Sequence, residues 1–148
     1  MTIIGQKIEL FVSDLDASID FYRRVFGFAV GETREVTLEG QRLRHAPVWN
    51  GPAMIGLGLL SLLAPQHHLR RAGTAAERGI GVEFCFYVAD AELDACYQRA
   101  VHECGTRIEP LVVQPWGARD FRVIDPDGYY VRISSPDRDY QPLTVQAA

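Results

Sequence analysis

The sequence predicts an α+β fold built from two tandem βαβββ modules, and three observations carry that reading. A strand-like alternation leading into a helical stretch occurs twice, with Val12 and Asp14 recurring as Val88 and Asp90 at an offset of 76 and Gly27 recurring as Gly105 at 78. Turn-punctuated β-forming runs follow both helical stretches. The second copy closes on residues 119–133, where two β-rich runs flank Asp125-Pro126-Asp127-Gly128. Proline presets φ there and glycine accepts positive φ, which is hairpin chemistry.

In the first copy Ile8, Leu10 and Val12 alternate with Lys7, Glu9 and Phe11, the period of a strand with one buried face. Asp14 is placed as an N-cap. Leu15, Ile19, Tyr22, Val25 and Phe26 recur at helical spacing, and Gly27 ends the run. Three further strands are expected at 28–36, 42–49 and 54–63, with turns at Glu39-Gly40 and Asn50-Gly51-Pro52. Residues 65–79 lack periodicity and read as a linker with room for a short helix. In the second copy Phe84, Phe86 and Val88 alternate with Glu83, Cys85 and Tyr87. Asp90 is placed as the next N-cap, and Leu93, Tyr97, Ala100, Val101 and Cys104 form the helical face before Gly105. The domain is therefore expected to span 1–136, with module one at about 5–64, module two at about 80–136, and a loose tail at 137–148.

A chain of 148 residues suits one compact domain, and a net charge of −4 leaves no basic stripe for nucleic acid or an anionic membrane. The three cysteines are odd in number and lack C-x-x-C spacing, so neither a disulfide framework nor a zinc knuckle is expected. Cys96 and Cys104 read as buried thiols. The start of the chain does not read as a secretory leader, and the apolar run 53–64 is broken by Gly56, Gly58 and Ser61, too short for a span of about 20 residues. The expectation is a soluble, cytoplasmic protein.

The DPDGYYVRI ending, preceded by Gln114-Pro115-Trp116-Gly117, Arg119 and Phe121, resembles the last hairpin of the vicinal oxygen chelate superfamily of glyoxalases, bleomycin-resistance proteins and extradiol dioxygenases. Its closest likeness is to the metal-free bleomycin-resistance branch. The resemblance covers about residues 5–136. It implies curved mixed sheets around a cavity, and a homodimer in which both chains build each cavity. Members that bind metal carry His or Glu at four strand positions, which fall here on Lys7, near Gly56, and on Glu83 and Arg132. Only Glu83 could ligate a divalent ion, and a metal site needs about three protein ligands. No metal and no other cofactor is therefore expected.

By strand parity Lys7, Glu9 and Phe11 share the face away from the first helix, and Glu83, Cys85 and Tyr87 share its counterpart with Tyr130 and Arg132. With Trp49, Trp116 and Arg119 these form the candidate ligand-binding set. Lys7, Glu9, Glu83 and Arg132 sum to zero charge. They make either a self-paired network or, through Arg132 or Arg119, an anchor for an acidic or carbonyl-rich ligand. Trp116 is either a pocket wall or a core plug. His45 is the one histidine placed near the cavity, while His67, His68 and His102 read as surface. The expected function is metal-independent binding of a small, partly planar organic molecule without turnover, similar to antibiotic-sequestering proteins. The rival is an enzyme: a metal-dependent lyase or dioxygenase with displaced ligands, or a metal-free isomerase or cyclase using Glu83 as base and Arg132 or Lys7 to steady an enolate.

Overall fold

A computed structural model describes residues 1–2, 5–38, 40–70 and 78–142. Strand β1 (Ile8–Val12) leads into helix α1 (Leu15–Phe26), followed by β2 (Ala29–Val30), β3 (Arg34–Leu38), β4 (Gln41–Asn50) and β5 (Ala53–Leu59). The second module contains β6 (Glu83–Tyr87), α2 (Asp90–Cys104), β7 (Val112–Val113), β8 (Arg119–Ile124) and β9 (Tyr130–Ser134). One mixed sheet runs β1-β5-β4-β2 with β3 also on β4, and the other runs β6-β9-β8-β7. In each the first strand lies parallel to the last of its module, β1 on β5 and β6 on β9. The fold is α+β with two mixed sheets and no closed barrel.

Helix α1 follows its sequence signals. The Asp14 carboxylate accepts from the Ala17 N–H at 3.0 Å, satisfying one of the first-turn donors. Gly27 takes φ of 66° and gives its N–H to the Arg23 carbonyl at 3.1 Å. Helix α2 departs from expectation at its start. Asp90 is its first helical residue and Ala89 occupies the cap position without a side-chain bond. The Asp90 carboxylate lies 3.3 Å from Arg119 Nη1 instead.

The single strand expected at 28–36 is two strands, β2 and β3, interrupted at residues 31–33. Its neighbour β4 carries Pro47 opposite that gap; Pro47 accepts from the Gly31 N–H at 2.9 Å but has no N–H to return, so the ladder cannot continue there. The strand expected at 54–63 ends at Leu59 and passes into a single 3-10 turn, Leu60–Leu62. Part of the expected linker, 71–77, lies outside the described residues, as do Glu39 of the first turn and the end of the tail, 143–148. The described start of the tail is tied down, since Asp137 accepts from the Tyr87 hydroxyl at 3.1 Å and Tyr140 packs its ring 5.0 Å from that of Tyr87.

Both modules share one core. Leu10, Val12, Tyr22, Ile55 and Leu57 from the first pack in the same buried cluster as Phe84, Leu93, Phe121, Val131 and Ile133 from the second. Cys96 and Cys104 are half-buried against it. Each sheet turns one face onto this core and the other away from it, which sets where polar chemistry can sit.

Candidate functional site

Parity assigns the outward face of the first sheet. Leu10, Val12, Ala46, Val48, Ile55 and Leu57 are buried. Glu9 and Phe11 of β1, His45, Pro47 and Trp49 of β4, and Gly56 and Gly58 of β5 therefore share the opposite face. Glu9 lies beside Gly56, while His45 stands beside Gly58 on the far side of β5. Across the bare backbone between them the two side chains meet, His45 Nε2 at 2.8 Å from Glu9 Oε2. Lys7 pairs with the other Glu9 oxygen. A Cβ at residue 56 would land on the Glu9 carboxylate and the His45 ring, and one at residue 58 would stand 3.0 Å from the Phe11 ring. Burial pushes the Glu9 carboxyl up, but hydrogen bonds from Lys7 and His45 and their charges outweigh it and hold it below the ordinary value, so it is ionised at neutral pH.

The second sheet repeats the plan with different chemistry. Register makes Cys85 the counterpart of Glu9, Arg132 of Gly56, Ser134 of Gly58, Asp120 of His45 and Arg122 of Pro47. The central strand thus carries a guanidinium where the first module carries a glycine. Arg122 donates through Nε to Glu83 Oε1 at 3.0 Å and through Nη1 to Asp120 Oδ1 at 2.7 Å. Arg132 Nε lies 3.5 Å from Glu83 Oε2 and 3.2 Å from Cys85 Sγ. Gln114 Nε2 completes the set with a 2.6 Å bond to Asp120 Oδ1. Asp120 is 0% exposed, and its Oδ2 has no hydrogen-bond partner among the described residues; Arg132 Nη1 is 3.9 Å away. Two guanidinium groups thus balance two carboxylates, the arrangement that makes buried charge tolerable.

The side chains around this network are committed as well. Burial pushes the Cys85 thiol up despite the neighbouring Arg132, so it stays protonated and is no nucleophile. The Tyr130 hydroxyl donates to Glu109 at 2.6 Å, and burial followed by that carboxylate pushes it up to about 12. Tyr87 is likewise pushed up to about 12, by burial first and then by Cys85 and Asp137.

The structure thus places Lys7, Glu9, Phe11 and Trp49 on one outward face and Glu83, Cys85, Tyr87, Tyr130 and Arg132 on the other. No hydrogen bond or ion pair joins the two sets among the described residues. Trp116, 49% exposed in the turn between β7 and β8, is not a core plug. That turn is fastened by Gln114, whose N–H donates to the Ala118 carbonyl at 2.8 Å and whose side chain reaches Asp120. Arg119 is misplaced by the sequence reading. It lies on the helix side of β8 and grips Asp94 at 2.8 and 2.9 Å as well as Asp90. Parity could have shown this, because Phe121 and Val123 are the apolar set of that strand. The same count would have found Asp120 and Arg122, which the reading missed. Arg119→Ala is accordingly expected to leave ligand affinity unchanged and to move the melting temperature little, as exposed ion pairs do. A binding titration and a thermal melt check it.

The donor chemistry at the four positions that hold metal in the resembling family does not fit a divalent ion. Lys7 offers an ammonium, Gly56 no side chain, and Arg132 a guanidinium, while Glu83 spends both oxygens on arginines. Among the described residues no three His, Cys, Asp or Glu side chains converge to hold one elsewhere. No helix of the described residues is long and apolar enough to cross a membrane.

Comparison with known proteins agrees with the architecture. The sequence pattern of the Glyoxalase/Bleomycin resistance protein/Dioxygenase superfamily matches residues 6–133. An uncharacterized protein of Mycobacterium tuberculosis is 30% identical over 139 residues, covering 94% of this chain and 78% of that one. Among solved structures, a glyoxalase/bleomycin resistance protein/dioxygenase from Nocardioides superposes with a TM-score of 0.69 at 20% identity, covering 96% of this chain and 88% of that one. A lactoylglutathione lyase from Agrobacterium tumefaciens gives 0.61 at 25% identity, with 91% and 94% covered. TioX from Micromonospora sp. ML1 gives 0.63 at 21%, with 88% and 97% covered. With a match across both modules and the paired-sheet fold in common, the chain belongs to the glyoxalase/bleomycin resistance/dioxygenase superfamily.

Proposed function

We propose that this protein binds a small, partly planar organic molecule without a metal ion, on the outward sheet faces, as a homodimer whose two chains build each site. One observation carries the reading. The only carboxylate at the four family metal positions, Glu83, is held between Arg122 and Arg132, so that corner is closed by its own charges. What remains available is aromatic surface, Phe11, Trp49 and Trp116, which binds flat molecules by stacking and needs no metal. Sequestration of an antibiotic, as in the bleomycin-resistance branch, is the specific form of this function that we favour over turnover. A substrate proton would have to displace an arginine to reach Glu83.

Two measurements test it. Protein purified without chelator should carry no stoichiometric metal, and Zn²⁺, Ni²⁺, Mn²⁺ or Fe²⁺ should leave its melting temperature in place; a rise of the size mass action gives for tight binding would overturn the metal-free reading. Against a panel of planar antibiotics and aromatic metabolites, Glu83→Gln should weaken binding modestly or not at all. Loss of a turnover rate with binding intact would instead identify Glu83 as a catalytic base.

A further inference from the structure

The glycine-floored notch on the first sheet carries chemistry that plain stacking does not use. We infer that Glu9 and His45 form a proton-accepting subsite for a planar ligand bearing an acidic hydroxyl, a phenol or an enol, which the protein binds as its anion. The inference rests on the binding function proposed above and names the ligand class for it.

The geometry supplies the parts. A carboxylate only accepts hydrogen bonds, so the 2.8 Å contact with Glu9 places a proton on Nε2, and in the neutral imidazole the lone pair is then on Nδ1. Nδ1 makes no hydrogen bond among the described residues and is not buried. The Phe11 ring lies over Gly58, the register neighbour of His45, so an aromatic surface for a flat ligand stands on the same face as the imidazole, one register position away. In the transfer the ligand O–H bond breaks, its proton forms an N–H bond at Nδ1, and the electron pair stays on oxygen. The imidazolium then stands between the ligand anion and the Glu9 carboxylate. Among the described residues the other charged groups on this face are Lys7, already paired with Glu9, and Arg34, the register neighbour of His45 on β3; both are cations and favour the anion. The second module has Cys85 and Asp120 at the matching positions and cannot make the pair.

The test uses the full chain and 4-nitrophenol, whose neutral and anionic forms absorb at different wavelengths. At a pH below the probe's own pKa, the bound probe should show the anion band, with its apparent pKa lowered by about one unit, a roughly tenfold preference for the anion. His45→Gln should abolish that band. Gly56→Ala, whose Cβ would land on the Glu9 carboxylate and the His45 ring and so part the pair, should do the same in protein that still folds by circular dichroism. Probe that binds by equilibrium dialysis with a neutral spectrum, or an anion band that survives His45→Gln, overturns the inference and leaves the binding function standing. Failure of the probe and of the wider planar panel to bind overturns both.

Discussion

Asp127→Ala is expected to destabilise the protein by about 3–5 kcal/mol, because it strips the partner from a buried cation. Asp127 is 2% exposed and accepts from the Ser13 N–H at 2.9 Å, from the Ser13 hydroxyl at 2.8 Å and from Arg78 Nη1. Arg78 is itself nearly buried, and its Nε has no partner among the described residues, so the carboxylate is its main compensation. Ser13 immediately precedes the helix cap Asp14, so this turn residue of module two fastens the start of α1 in module one, 114 positions away. Alanine would at once take the counter-charge from a guanidinium, leaving it the Ser13 hydroxyl at 2.7 Å from Nη1, and leave the Ser13 N–H unpaired. Against a total stability of about 5–15 kcal/mol, such a loss of about 3–5 kcal/mol is roughly a fifth or more. Asp127→Asn keeps the acceptor for Ser13 and should cost less. Urea denaturation measures both, and a change within about 0.5 kcal/mol for the alanine variant would show that the latch does not hold the modules together.

Asp125→Asn is expected to remove a pH dependence. Burial pushes the Asp125 carboxyl up to about 6 from an ordinary 3.8, despite hydrogen bonds from the Tyr129 and Asp127 N–H groups and the Tyr22 hydroxyl. Raised in the folded state, this acid binds more protons folded than unfolded between about pH 4 and pH 6. Its contribution is therefore fully present below about pH 4, falls as pH rises, and is lost above about pH 6, a swing of up to about 3 kcal/mol. Asparagine keeps the acceptor for the two backbone groups and can face Tyr22, but it does not titrate. The stability of the wild type relative to Asp125→Asn should thus decline across this window. Glu9 and Asp20, both held below their ordinary values, carry the opposite slope in both proteins and cancel in the difference. A flat difference from pH 4 to pH 7 would show that Asp125 is not raised.

These two aspartates also show where sequence reading stops. The DPDG run is legible as a turn, and Gly128 does take φ of 89° in it. The turn rule treats its acids as local and solvent-facing, whereas Asp125 and Asp127 are buried because the second module's turn is pressed against the first module's helix. Contacts of that sequence separation leave no local periodicity to detect. The modules, both helices and the outward faces were legible because parity and helical spacing are local. Glu9 against His45 was not, since the pair depends on two strands reaching across a third that happens to carry glycine. The break at Pro47 lay in plain view as a proline within an expected strand, and strand propensity alone overrode it.

The unlike faces have a consequence in symmetry. A chain with two identical faces would form the same two sites however its modules paired in a two-fold dimer. Here the faces differ, glycine and a Glu–His pair on one and an arginine pair on the other. If module one of each chain meets module two of its partner, the dimer holds two equivalent sites and binds two ligands with a single affinity. If like meets like, it holds two distinct sites, and a titration would resolve two affinities of one ligand each. Two ligands bind per dimer in either case, so the number of distinct affinities reports the pairing of the modules.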